Sequence, residues 1–312
     1  MRLRHNEGTL VHLAYNAGVH PAEDLENLIA HLTRYAVPVR RRLGVDRLGV
    51  VLWLAPAVAD HLMADRIELV RLGRSLEERG LEVVSLNGTG SRAHAGPDWA
   101  KPERYRYTMA LAKILAFLLP HDVRFGSIST IPIGWRREWP ADLQAIANRR
   151  LERLSRELRG LYSVTGKTIR VGFEPWPGCL IETTEQALER VGGIDSEHLG
   201  VCLDACHLSS GEEGAGDALR GLARSGAPVV KLCHVHDHTP SAALSSTQPV
   251  LQDTLGALLS GSVSGSAHIE VEVHDLAAAQ RVKSPAMLVA KLADELDWTR
   301  NSLSALGFKL AA

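Results

Sequence analysis

Four short stretches of this chain put metal-ligating or proton-transferring side chains directly after apolar runs. Glu174 stands in "VGFEPWPG", Asp204 and His207 lie three apart in "VCLDACHLSS", His234 and His236 two apart in "HVHDH", and Glu270 and Glu272 two apart in "HIEVE". Carboxylates gathered in an enclosed site are costly to desolvate and repel one another, and a divalent cation removes both penalties. A set of Glu, Asp, His and Glu suits Mn²⁺, Mg²⁺, Zn²⁺ or Fe²⁺, and coordination positions left open can take two adjacent hydroxyl or carbonyl oxygens. Each stretch also has an ordinary use. Glu174 before Pro175 can be a loop or capping carboxylate, and Asp204 with His207 can close a local turn. The His-x-His and Glu-x-Glu pairs can be solvated strand faces. What favours the metal is their conjunction, in order, at the ends of successive strands.

Those strands are read from the alternation of the chain. Apolar β-type runs recur at "LVHLAYN" (10–16), "LGVVLWLA" (48–55), "LEVVSLNG" (81–88), "VRFGSIST" (123–130), "TIRVGFEP" (168–175), "LGVCLDA" (199–205), "PVVKLCHVH" (228–236) and "AHIEVEV" (267–273). Between them lie stretches of helical spacing. One is opened by Pro21 and carries Leu25, Leu28, Ile29 and Leu32 on one face; another runs from Pro102 to Pro120; a third starts at Pro140 and ends at Gly166. Eight strand–helix units predict a single (β/α)8 barrel, an α/β fold spanning residues 1–312 as one domain. A doubly wound sheet would show a glycine-rich turn after its first strand, and "YNAGVHPAED" is not G-x-G-x-x-G. In a barrel the acting residues sit at the C-terminal strand ends, where strands five to eight deliver the four polar stretches.

Composition narrows the partners. At 312 residues, 45% hydrophobic and 23% charged, the chain can bury a sizeable core. A net charge of −1 offers no basic field for nucleic acid. There is no cleavable signal pattern in "MRLRHNEGTLVHLAYN" and no apolar run of about 18 residues to insert in a membrane. Cys179, Cys202, Cys206 and Cys233 make no CxxC or zinc-ribbon spacing, which suits structural cysteines in a reducing cytoplasm. The sequence leaves open whether the chain forms a homo-oligomer.

The order Glu, D-x-x-H, H-x-H, Glu on successive strands resembles the xylose-isomerase-like barrel superfamily, which includes ketose 3-epimerases, inosose dehydratases, hydroxypyruvate isomerases and endonuclease IV. More narrowly, "HLAYNAGVHPAEDLENL", "LNGTGSRAHAGPDWAKPERYRYTMALAKILAFLLP", "ISTIPIGWR" and "HIEVEVHD" are similar to EboE-type "metabolite traffic" proteins of the same superfamily. The strand-seven "HVHDH" is closer to the epimerases.

Carried over from the epimerase-like members, the resemblance makes Glu174, Asp204, His236 and Glu270 the ligands of one divalent metal ion, with His236 preferred as the second His of its motif. Glu270 and Glu272 remain alternatives on one strand face. Glu174 and Glu270 would move protons beside a carbonyl, and His207 would hold a substrate oxygen. His234, Glu272, Asn87, Tyr15 and Trp176 are further candidates to line the substrate, as are His12, Asn16, Ser129, Thr130, Trp135 and Trp139 around the same mouth. The resemblance thus implies an isomerase, epimerase or dehydratase acting on a small polyhydroxy substrate, a sugar or cyclitol. Two alternatives stand beside it. One is an endonuclease IV-like phosphodiesterase, which needs histidines on strands three and four that this chain lacks. The other is a non-catalytic accessory protein of metabolite trafficking.

Overall fold

The computed structural model describes residues 1–6, 8–19, 22–89, 96–204, 229–234, 266–273 and 284–311. Its ten strands are β1 (Arg2–Arg4), β2 (Leu10–Asn16), β3 (Leu48–Trp53), β4 (Leu81–Asn87), β5 (Phe125–Thr130), β6 (Thr168–Phe173), β7 (Leu199–Asp204), β8 (Val229–His234), β9 (Ser266–Val273) and β10 (Lys309–Leu310). Strands β2 to β9 pair in parallel, each with the next. Strand β9 then pairs in parallel with β2, from Leu10↔Ser266 to Tyr15↔Val271, and closes the ring. These are the eight strands expected from the sequence. The added β1 and β10 form a short antiparallel flap, β1 on the first half of β2 and β10 on β1. At three and two residues, they are too short to leave a periodic signal in the sequence.

The connections are helical. They include α1 (Leu25–His31), α2 (Val37–Arg42), α3 (Pro56–Ala64), α4 (Arg66–Glu78), α5 (Pro102–Leu118), α6 (Ala141–Thr165) and α7 (Thr184–Ala187), with α8 (Pro285–Ala305) after β9. The first helix starts at Leu25 rather than at Pro21, which lies outside the described residues. Asp24 is its cap, accepting from the Asn27 N–H at 2.7 Å and satisfying a donor that the helix start leaves over. A π-turn over Leu32–Ala36 joins α1 to α2. Pro38 explains it: with no N–H, and with a ring that crowds the preceding turn, it disfavours regular α-helical bonding there. Helix α6 ends as its sequence predicts, with Gly166 in the left-handed region at φ 66°. No helix among the described residues is long and apolar enough to cross a membrane.

The core lies between ring and helices. Leu13, Val50, Leu52, Leu86, Ile128, Val171, Phe173, Val201, Ile269 and Val271 on the strands are all buried, together with Leu111, Ile114, Leu151, Leu154 and Leu292 on the helices. By the strand period of two, the alternate residues face the lumen.

One turn is demanding enough to test. Gly80 follows α4 at φ +64°, and a Cβ there would lie 2.5 Å from the Asp46 carbonyl oxygen. Gly80→Ala should therefore destabilise by more than about 1 kcal/mol, since the replacement fits neither the backbone conformation nor the space. A lowered urea midpoint at unchanged slope checks this.

Candidate functional site

The lumen of this barrel is polar. Its lining follows from the pairing, because residues in register across parallel strands share a face. Ala14, Gly49, Val51 and Trp53 fall on one face of β2 and β3, and Ser85, Asn87, Ser127, Ser129, Arg170 and Gly172 continue it on β4 to β6. Gly200, Cys202 and Asp204 continue it on β7, and His268 and Glu270 on β9 lead back to His12 and Ala14. Hydrogen bonds from β4 and β5 across to β9 confirm that this face is the inside.

Strand β4 reaches that arrangement through an irregularity. Val50 pairs with Val83 but Val51 with Ser85, so Val84 is skipped and the alternation slips by one. Without the slip, Val84 and Leu86 would enter the lumen and Ser85 and Asn87 would face the helices. Bulges of this kind re-aim side chains beside functional sites.

Deep in the lumen, Ser85 donates to Glu270 Oε1, Ser127 donates to Ser85 Oγ at 3.0 Å, and Ser127 Oγ lies 2.5 Å from His268 Nδ1. The His12 ring stands edge-on to His268, 5.2 Å between centroids at 87°. Burial, with the charge of Arg170 adding to it, holds His268 down at about 3. Burial likewise holds His12 at about 2, helped by His268. Both rings are thus neutral over the physiological range.

Nearer the mouth the loops hold their own polar groups. Asn16 Oδ1 accepts from the Gly18 N–H at 2.8 Å, which leaves its buried Nδ2 with no hydrogen-bond partner among the described residues. Asn87 Oδ1 accepts from the Thr89 N–H at 2.9 Å and the Thr89 hydroxyl at 2.6 Å. Glu174 directly follows β6, its N–H donating to the Thr130 carbonyl at 3.0 Å. Asp204 is the last residue of β7, and Glu174, Asp204 and Glu270 are all at most 6% exposed.

Of the residues nominated from sequence, register and the strand period place Glu174, Asp204, Glu270 and Asn87 on the lumen face of their strands. The backbone register aligns Asp204, Lys231 and Glu270 across β7, β8 and β9, sets Glu272 opposite Cys233, and sets His234 opposite Val273, three positions beyond Lys231 and so at a register position of the alternate face. Tyr15 is not brought to the mouth. Its register partners are Val50 and Val271, and it is buried in the apolar layer between sheet and helices, where burial raises its phenol above the usual range. Trp176 is half-buried in the loop after β6, its N–H donating to the Ile181 carbonyl at 2.9 Å. His207 and His236 lie outside the described residues. Ser85, Ser127 and His268 were missed by sequence reading. Each stands two positions before a nominated residue, and that period was the available signal.

The donor chemistry suits a divalent cation: three buried carboxylates, one directly after β6 and one each on β7 and β9, with β8 leading into "HVHDH". Among the described residues alone, no three His, Cys, Asp or Glu side chains are grouped to hold a metal. A complete site of the nominated kind also needs His236.

Known proteins share this architecture. A putative sugar phosphate isomerase/epimerase from Anabaena variabilis superposes with a TM-score of 0.62 at 16% identity, covering 95% of this chain and 99% of that one. D-psicose 3-epimerase from Clostridium cellulolyticum, solved with D-tagatose, gives 0.58 at 17%, covering 94% and 99%. The IolI protein, solved with a bound zinc atom, gives 0.58 at 15%, covering 96% and 100%. No curated protein matches in sequence. Residues 41–256, well over half of the chain, match the family described as xylose isomerase-like TIM barrel. With a closed ring of eight parallel strands and that match, the chain belongs to the xylose isomerase-like TIM-barrel family.

Proposed function

We propose that this barrel is a divalent-metal-dependent isomerase or epimerase of a sugar or cyclitol, moving a proton on the carbon next to a carbonyl. The observation that carries this reading is the burial of Glu174, Asp204 and Glu270 inside the ring. Buried carboxylates are a donor set that a divalent cation takes, and catalytic carboxylates are the groups that proton transfer at carbon requires. The similarity to sugar epimerases supports the substrate class. Glu174, Asp204, His236 and Glu270 would hold the ion, which when bound supplies a Lewis acid that polarises the carbonyl.

The proton steps fall to the two glutamates. One carboxylate takes the proton from the carbon, the C–H electron pair moves toward the carbonyl oxygen, and the other glutamate returns a proton to the opposite face of that carbon. Glu174 and Glu270 belong to strands three apart in the ring, so they can address a substrate from different sides. His207 would hold a neighbouring hydroxyl, while Asn87, Glu272 and Trp176 are the further candidates to contact the polyol; His234 is left out because its register position is on the alternate face of β8. Tyr15 has no part in this proposal because of its place in the apolar layer. The cysteine spacing, with no CxxC or zinc-ribbon pattern, supports a reducing, cytoplasmic setting.

A second reading draws on the EboE-like strings: a barrel that keeps the ion and serves a partner without catalysis. One experiment tests the ion that both readings share, and a second separates the readings. Wild-type protein titrated calorimetrically with Mn²⁺ or Zn²⁺ should bind one ion. Asp204→Ala should lose that binding while its circular dichroism stays native, and full occupancy in the variant would overturn the ligand assignment. With the ion bound, solvent deuterium should enter a carbon-bound position of a ketose, inosose or related ketone. His207→Ala should slow that exchange without emptying the metal site. Absence of exchange across a broad panel, with metal occupancy verified, would replace the enzyme by the accessory protein.

A further inference from the structure

The hydrogen bonds beneath Glu270 run one way. Ser85 Oγ donates to Glu270 Oε1, and Ser127 Oγ donates to Ser85 Oγ at 3.0 Å. A hydroxyl has one proton to give, so Ser127 has none left for the His268 nitrogen that lies 2.5 Å from its oxygen. The remaining link closes only if His268 Nδ1 carries a hydrogen and donates it to Ser127. With Glu270 ionised, as its proposed role requires, the carboxylate at one end dictates the tautomer of an imidazole at the other, through two serines.

We propose that Ser85, Ser127 and His268 are positioning residues that aim the Glu270 carboxylate into the lumen, with His268 fixed as its Nδ1–H tautomer. The inference rests on the proposed function for what Glu270 does, and on hydrogen-bond direction alone for the chain itself. Three features make this a built arrangement. All four side chains are buried, so water does not compete for their hydrogen bonds. The chain bridges the lumen from β4 and β5 to β9, and Ser85 and Ser127 sit side by side in register, which ties the carboxylate to backbone on the far wall. His12, edge-on at 5.2 Å, limits rotation of the His268 ring. Partners behind a working carboxylate fix its orientation and basicity, much as outer hydrogen bonds do for metal ligands.

The test reads the tautomer and the metal site separately. In ¹⁵N-labelled wild-type protein, with His268 assigned by comparison with His268→Gln, the two-bond ¹H–¹⁵N pattern should be that of a neutral Nδ1–H imidazole. A neutral Nε2–H pattern would mean that the chain runs the other way, and would overturn the proposal without any variant being needed. Ser85→Ala frees the Ser127 proton to turn toward His268 and should shift the tautomer toward Nε2–H, whereas Ser85→Thr, which keeps the hydroxyl, should retain the wild-type pattern. Mn²⁺ titrated into folded Ser127→Ala should bind about tenfold or more weakly, and Ser127→Thr should recover most of that loss. An unchanged tautomer in Ser85→Ala together with unchanged Mn²⁺ affinity in Ser127→Ala would sink it. Failure of the wild type to bind any divalent ion would instead count against the proposed function, and the tautomer would still decide the chain.

Discussion

The structure depends on how the strand period of two is phased around a closed ring. Most of the described barrel strands turn their large apolar residues outward, to the helices, and their small and polar ones inward, with Val51 and Trp53 of β3 as exceptions. Many barrels of this class fill the lumen with branched aliphatic side chains. Here Leu13, Leu52, Leu86, Val171, Val201 and Ile269 lie in the outer layer, while His12, Ser85, Ser127, His268 and Glu270 face one another inside. Hydrophobic burial therefore stabilises the outside of the ring. The inside has to satisfy its polar groups by bonding across the lumen, because each buried group left unpaired is costly.

That division explains how the floor and the mouth are coupled. The mouth holds groups that can meet a ligand, and the loops there tie down what they need for their own turns, as the carbonyl ends of Asn16 and Asn87 do. The floor is connected by the serine and histidine bridge, which reaches Glu270 from below. A carboxylate held from the opposite wall needs less reorganisation when a substrate or ion arrives. Pre-organisation of this kind is what lets a buried acid or base act in a site from which water is excluded.

The foot of the barrel shows the same economy of charge. Arg2 on β1 forks both Glu82 oxygens at 2.9 Å and also pairs with Asp122, while Arg47 reaches Glu82 at 3.0 Å. Glu82 is buried, so these donors are what makes its position tolerable. The bulge in β4 leaves Glu82 on the inward face below Val84, with Ser85 and Asn87 inward above it. One strand thereby supplies the lower ion pair, the bridge and a mouth amide.

The sequence by itself determined the eight strands, the limits of α5 and α6, and which strand ends carry the carboxylates Glu174, Asp204 and Glu270. Apolar runs alternating with amphipathic stretches leave a strong periodic trace, and Pro102, Pro140 and Gly166 mark helix ends through local backbone chemistry. Asp24 in place of Pro21 shows the limit of such punctuation, since a cap is chosen by which side chain can reach a free N–H. Tertiary structure alone decided which face of each strand is the lumen. Tyr15 and Asn16 are neighbours in "LAYN", yet one is sealed in the apolar layer and the other lines the mouth. "LEVVSLN" reads as an ordinary strand until the slip at Val84 turns Ser85 and Asn87 inward. The bridge from Glu270 through Ser85 and Ser127 to His268 joins residues up to 185 positions apart along the chain, and such distant partners meet only when the sheet closes with one register.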